Sequence, residues 1–184
     1  EGASDIDDGE MATLSVVNVS PLPFGLMLNG NTINVDPSHT AFQHLAEGVD
    51  EVITVNYEIE DEQGAKVAQT AKITITGKND LPEVGAIIEK SANEDNDSFI
   101  VDLLEGGSDP DDGETQTLSV ANLAGLEAGL VQSGNTVTVD PSDGAFQSLA
   151  KDEPYIITLS YDIVDAQGGS TPQTAKITII GKND

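Results

Sequence analysis

The 184-residue sequence predicts an all-β chain: two tandem β-sandwich modules, the first lacking its N-terminal strands. Three observations predict it. Apolar and polar residues alternate with period two rather than 3.6. Turn signals punctuate the alternating runs. The chain also repeats itself. Shifted by 104 positions, residues 1–80 fall on residues 105–184 without a gap, and 46 of the 80 pairs are identical.

The repeat sets the domain organisation. GNTINVDPS (30–38) meets GNTVTVDPS (134–142), and QTAKITITGKND (69–80) meets QTAKITIIGKND (173–184). Agreement of this length marks a tandem duplication. Residues 81–104, LPEVGAIIEKSANEDNDSFIVDLL, occur once. The expected modules are therefore an incomplete sandwich over 1–80 and a complete one over 81–184, and the chain reads as a segment of a longer array.

The elements follow in order. In VITVNYEIED (52–61), Ile53, Val55, Tyr57 and Ile59 alternate with Thr54, Asn56, Glu58 and Glu60. The second copy places Ile157, Leu159, Tyr161 and Ile163 on the same face. AKITITG (71–77) alternates Ile73 and Ile75 with threonines. A strand with one buried and one wet face gives this pattern. Further strands are expected at 13–19, 31–35, 84–89, 98–103, 117–123 and 135–139. NGN (29–31) and SGN (133–135) read as hairpin turns. EQG (62–64) and AQGG (166–169) read as turns as well. AFQHL (41–45) and AFQSL (145–149) are the one helical hint, a single turn whose Phe and Leu plug the core. About seven short strands in roughly 100 residues suit an immunoglobulin-like sandwich.

Charge bounds the partners. The chain carries 33 acidic residues against 7 basic ones, all lysines, for a net charge of −26. Nucleic acid needs a basic face, and an anionic membrane surface is disfavoured for the same reason. Cations are the charged partners that remain. With no cysteine there is neither a disulfide nor a thiolate metal site. No run of 18 apolar residues exists to span a membrane. His39 and His44, replaced by Asp143 and Ser148 in the second copy, read as surface residues. No nucleophile triad, phosphate loop or carboxylate pair stands out, so no enzyme is expected.

The acidic residues are not evenly spread. EGGSDPDDGE (105–114) holds five acids in ten residues, and EGASDIDDGE (1–10) is its counterpart. Asp-Pro opening and Gly closing would also make DPDDG a plain solvated turn. An EF-hand loop starting at Asp109 would need Gly at position 114 and an acid at 120, where Glu114 and Val120 stand. The spacing of the nonapeptide calcium repeat is also absent.

The end of each repeat carries a more specific signal. YEIEDEQGAKVAQTAKITITGKNDLP (57–82) resembles the VCBS-type repeats of very large bacterial RTX-type surface adhesins, which are cadherin-like modules. Asp61 to Gly64 and Asp165 to Gly168 match that family's D-x-x-G, Asn79-Asp80 and Pro82 match its linker, and DIDD and DPDD match its D-x-D loop. The resemblance implies Ca²⁺ at the junctions between modules. Asn79, Asp80, Asp109, Asp111 and Asp165 would converge from three segments at one end of module two. Asp5, Asp7 and Asp61 form the matching set of module one. The family's acidic D-x-E before the sixth strand is reduced here to Glu47 in LAEG and to LAKD in the second copy. Glu94 and Asp95 would serve a further junction downstream.

The implied function is a calcium-rigidified extender of a bacterial cell-surface adhesin, extracellular, spacing a terminal ligand-binding region from the cell. Its partners would be neighbouring repeats of the same chain, with homo-association open through the incomplete first module. The alternative is a sandwich that itself binds carbohydrate or protein. Sugar sites favour exposed aromatics, and this chain has 7 aromatics and no Trp.

Overall fold

The structure, a computed structural model, describes residue 4 and residues 14–183. It falls into two compact units, Glu1–Lys78 and Asn79–Asp184. The boundary thus assigns Asn79 and Asp80 to the second unit, two residues ahead of the expected start.

The second unit is a two-sheet sandwich. Its strands are β6 (Ile88–Asn93), β7 (Phe99–Asp102), β8 (Ser119–Ala124), β9 (Leu130–Ser133), β10 (Thr136–Val139), β11 (Pro154–Val164) and β12 (Ser170–Ile180). One sheet runs β6-β12-β11-β8 and the other β7-β10-β9. Among the described residues only β6 and β12 pair in parallel, with Ala175 opposite Ile88 and Ile180 opposite Asn93. The alternation seen in the sequence becomes the core. Ile157, Leu159, Tyr161 and Ile163 of β11 and Ala175, Ile177 and Ile179 of β12 point inward, onto Val101, Val137 and Val139 of the facing sheet. The Tyr161 hydroxyl donates to the Leu103 carbonyl at 2.9 Å, tying one sheet to the other. Burial then pushes its phenol pKa up to about 12, helped by the charges of Asp102 and Glu105.

Among its described residues the first unit repeats five of these seven strands: β1 (Ser15–Val17), β2 (Leu26–Asn29), β3 (Thr32–Val35), β4 (Asp50–Glu60) and β5 (Lys66–Thr76). They form the sheets β1-β4-β5 and β2-β3. Among the described residues nothing takes the places of β6 and β7, so β5 and β3 each keep one unpaired edge. Its core is correspondingly small: Leu26, Phe42, Leu45, Ile53, Val55 and Ile75.

Three expectations are refined. The AFQHL and AFQSL segments do plug the cores through Phe42 and Phe146, but as successive i→i+3 turns (Phe42 N to His39 O at 2.9 Å, Leu45 N to Phe42 O at 3.1 Å) rather than a helix. The strand expected at 84–89 lies at 88–93. Pro82 offers no amide to a ladder, and Gly85 runs against the Gly106 backbone, a Cβ there lying 3.1 Å from the Gly106 oxygen. Finally, β2 and β9 precede the NG and SG turns as strands in their own right. Their apolar runs are too short to show a period.

Candidate metal centre

At one end of the second unit, three segments meet. The first is Asn79-Asp80, the second the β7–β8 loop with Asp109, Asp111 and Glu114, and the third the β11–β12 turn with Asp165. The loop shapes itself locally. The Asp111 amide donates to Asp109 Oδ1 at 2.9 Å, and the Thr115 hydroxyl accepts from the Asp109 amide at 2.8 Å. The Glu114 amide donates to the Asp111 carbonyl at 3.1 Å. A short 3-10 turn, Thr115–Thr117, then leads into β8.

The Asp165 turn is closed by its own carboxylate. Oδ1 accepts from the Gln167 amide at 2.9 Å and the Gly169 amide at 2.8 Å, while Oδ2 accepts from the Asn79 side chain at 3.0 Å. Burial pushes the Asp165 pKa up, but these donors together outweigh it and hold the group below the usual carboxylate value. Gly169 is required there. A Cβ would sit 2.2 Å from Asp165 Oδ2 and 2.9 Å from Asn79 Nδ2. The linker is fastened on the other side by the Asp80 amide, which donates to Asp111 Oδ2 at 3.0 Å.

What is left over defines the site. Asn79 Oδ1, Asp109 Oδ2, Asp111 Oδ1 and Glu114 Oε2 are all out of solvent and accept no hydrogen bond. Carboxylate oxygens of Asp109, Asp111 and Glu114 lie within 4.8 Å of one another. Burial first, and then the neighbouring carboxylates, push the Asp109 and Glu114 pKa values up. Every orphaned atom is an acceptor, so a polar neighbour of the same kind cannot satisfy them. A cation can. The set is all oxygen, carboxylate and amide from several segments, which is the hard-ligand chemistry of Ca²⁺ and not the N/S chemistry of Zn²⁺.

The structure therefore brings together Asn79, Asp80, Asp109, Asp111 and Asp165, and adds Glu114. That residue was legible only as the recurrence of Glu10 and Glu114 at the end of both acidic stretches. Gln167 holds it in place, donating to Glu114 Oε1 at 2.6 Å. Asp61 caps its own turn through the Gln63 and Ala65 amides at 2.9 and 2.8 Å. Asp5 and Asp7 lie outside the described residues. Glu94 is buried at the opposite end of the second sandwich, with the Lys182 amide on Oε1 and no donor on Oε2. Asp95 is exposed beside it.

A β6-β12-β11-β8 sheet against a β7-β10-β9 sheet, with an acidic pocket where loops meet the incoming linker, defines a cadherin-like module. The chain belongs to the cadherin-like domain family, whose model matches residues 78–180. Family members are extracellular modules of an adhesion-type fold that is not enzymatic. The fold is similar to human mucin-like protocadherin EC1-2, at TM-score 0.54 and 14% identity over 91% of this chain and 84% of that one. It is also similar to mouse cadherin-23 EC22-24, at TM-score 0.52 and 15% identity over 95% of this chain and 54% of that one. No curated protein matches the chain. Among the described residues no helix is long and apolar enough to cross a membrane.

Proposed function

We propose that this chain is a calcium-rigidified extender segment of a bacterial cell-surface adhesin of the VCBS/RTX type, spacing a terminal ligand-binding region from the cell. One observation carries the reading: four buried oxygens, from Asn79, Asp109, Asp111 and Glu114, are left without a donor where carboxylate oxygens of the three acids lie within 4.8 Å of one another. Ca²⁺ supplies the missing positive charge. Asp80 and Asp165 complete the ligand set by charge and by positioning Asn79. Because Asn79-Asp80 is the linker in sequence, an ion held there fastens the linker to the loops of the second module. Asp5, Asp7 and Asp61 have the same role in the first module, and Glu94 with Asp95 at a junction further on. The partners are neighbouring repeats of the same chain, and the setting is the outside of the cell.

The energetics suit this role. Extracellular modules bind Ca²⁺ with Kd of about 10⁻⁴ to 10⁻³ M. At a hundredfold excess one such site adds roughly 2.7 kcal/mol, which moves the midpoint of a domain of about 100 residues by on the order of 10 °C. Thermal unfolding with Ca²⁺ and with a chelator, repeated on the Asp109→Asn/Asp111→Asn variant, tests it. Calcium is expected to raise Tm in the parent and leave the variant unmoved. Four coincident melts sink the proposal.

A further inference from the structure

Beside the β2–β3 hairpin of the first unit and the β9–β10 hairpin of the second, the chain builds the same frame twice. In the first, the Asp36 amide donates to the Gly25 carbonyl at 2.8 Å and the His39 amide to the Asp36 carbonyl at 3.2 Å. In the second, the Asp140 amide donates to the Gly129 carbonyl at 2.7 Å and the Asp143 amide to the Asp140 carbonyl at 3.2 Å. The turns are capped alike. The Ala41 amide donates to His39 Nδ1 at 3.1 Å, and the Ala145 amide to Asp143 Oδ1 at 2.9 Å. An aspartate therefore suffices for the turn, and the imidazole brings something more.

What the two units mount on this frame differs. Phe24 stands where the second unit has Ala128, Met27 where it has Val131, Asn34 where it has Thr138 and His39 where it has Asp143. Phe24 is 81% exposed, and its ring lies parallel to that of His39, with centroids 6.1 Å apart and planes 2° from one another. A phenylalanine this exposed adds little to the core. Pro23 also replaces Glu127, so with His39 the first unit drops two acids at this spot in a chain of net charge −26. The exposure does not follow from the unpaired edge of β3. Phe24 precedes β2 and Met27 lies on it, and their counterparts in the seven-stranded second unit are exposed too, Val131 at 66% against 65% for Met27.

Next to the rings is a pocket of about 260 Å³, lined in part by Gly25, Met27, Asn34, Asp36 and His39. Its polar groups are of both kinds. Because His39 Nδ1 accepts from Ala41, the neutral ring carries its proton on Nε2 and can donate. Asp36 accepts. The Ser38 hydroxyl and amide take its Oδ1 at 2.6 and 3.1 Å and hold the carboxyl below its ordinary value. Among the described residues no hydrogen bond engages Oδ2. Asn34 can donate and accept.

We propose that this stacked pair and its pocket bind a neutral sugar ring. An apolar C–H face of the sugar lies on Phe24 and Met27. The ring hydroxyls, each a donor and an acceptor, meet Asp36, Asn34 and His39. A cation is the poorer ligand, because the exchanges relative to the second unit remove acids and add a donor. The pocket is smaller than the roughly 300–1,000 Å³ of drug-sized sites, which suits one ring rather than a chain. The inference is independent of the metal centre, which lies in the other unit.

The test titrates the full chain with the methyl glycosides of glucose, mannose, galactose, fucose and N-acetylglucosamine, one at a time, and follows backbone amide shifts by NMR. At least one glycoside is expected to give saturable shifts centred on Gly25, Met27 and His39. Phe24→Ala and His39→Asp, which install the second unit's residues, are each expected to weaken it about tenfold or more. Their Tm and its response to calcium should stay as in the parent. No saturable shift with any of the five, or shifts of equal affinity in both variants, overturns the proposal. So does saturation of these amides by N-acetylargininamide alone, which would mark a cation site.

Discussion

Glu114 shows how a single side chain can be a liability in an empty pocket and, under the proposed function, an asset in a filled one. Its Oε2 is buried without a donor beside two other carboxylates, and its pKa is pushed up by burial and by Asp111. Glu114→Gln removes one negative charge from that crowd. Its amide oxygen can still accept from Gln167, which now reaches Glu114 Oε1. The substitution is expected to raise Tm in chelator and lower it in saturating calcium, two shifts of opposite sign measured on one variant. A plain structural glutamate would move both the same way. At this scale the residues that converge were legible where a spacing recurred with a linker to receive it, as for Asp109, Asp111 and Asp165. Glu114 recurred equally but was hidden, because only the fold of the 3-10 turn after it shows that its side chain points back into the pocket rather than out to water. Gly169 was likewise illegible. Its counterpart Ala65 is tolerated in the other turn, and only the close approach of the Asp165 carboxylate, with the Asn79 side chain behind it, leaves no room for a Cβ here.

The same strand in two settings separates propensity from packing. Ile73 and Ile177 stand in identical AKITI strands, half-buried in the first unit and fully buried in the second. Ile177→Ala is expected to cost about 2–5 kcal/mol of its unit's stability, since it leaves a closed cavity. Ile73→Ala should cost well under half of that, because its surroundings are already open. Calorimetry or hydrogen exchange resolved by unit measures both. A second cross-element tie is the Tyr161 hydroxyl, which joins β11 to the carbonyl just past β7. Its folded pKa of about 12 lies above the ordinary phenol value of 10.0, so the neutral form is the one folding favours. The stability it contributes is fully present below pH 10 and is lost as pH rises towards 12. Tyr161→Phe is expected to cost about 1 kcal/mol at neutral pH and to lose less stability than the parent across that alkaline window. Long strands such as β4 and β11 were readable because eleven residues show five alternations. Four-residue β2 and β9 show only two, and β6 was displaced by the Gly85 contact that no local pattern encodes.

For the whole chain, a net charge of −26 sets up a test that the local site alone does not. Dispersed carboxylates repel over a Debye length, about 10 Å at 0.1 M salt and 3 Å at 1 M. Any salt therefore relieves the compact state of some self-repulsion. The cluster at Asp109, Asp111 and Glu114 is different, because its oxygens lie within 4.8 Å of one another and out of solvent, where screening ions do not reach. Two responses should thus separate. Sodium chloride is expected to raise Tm gradually in chelator, and to do so equally in the parent and in Asp109→Asn/Asp111→Asn. Calcium at millimolar concentration, with ionic strength held fixed, is expected to add a saturable rise in the parent alone. Magnesium at the same concentration should fall short of calcium, since it demands a tight octahedron and sheds water reluctantly. The duplication made two modules legible, and composition made a cationic partner legible. Neither distinguishes a diffuse counterion cloud from a bound ion, because both follow from the same count of acids. Where the carboxylates sit decides between them, and a melt in which calcium and sodium act alike at matched ionic strength would assign the whole effect to the cloud.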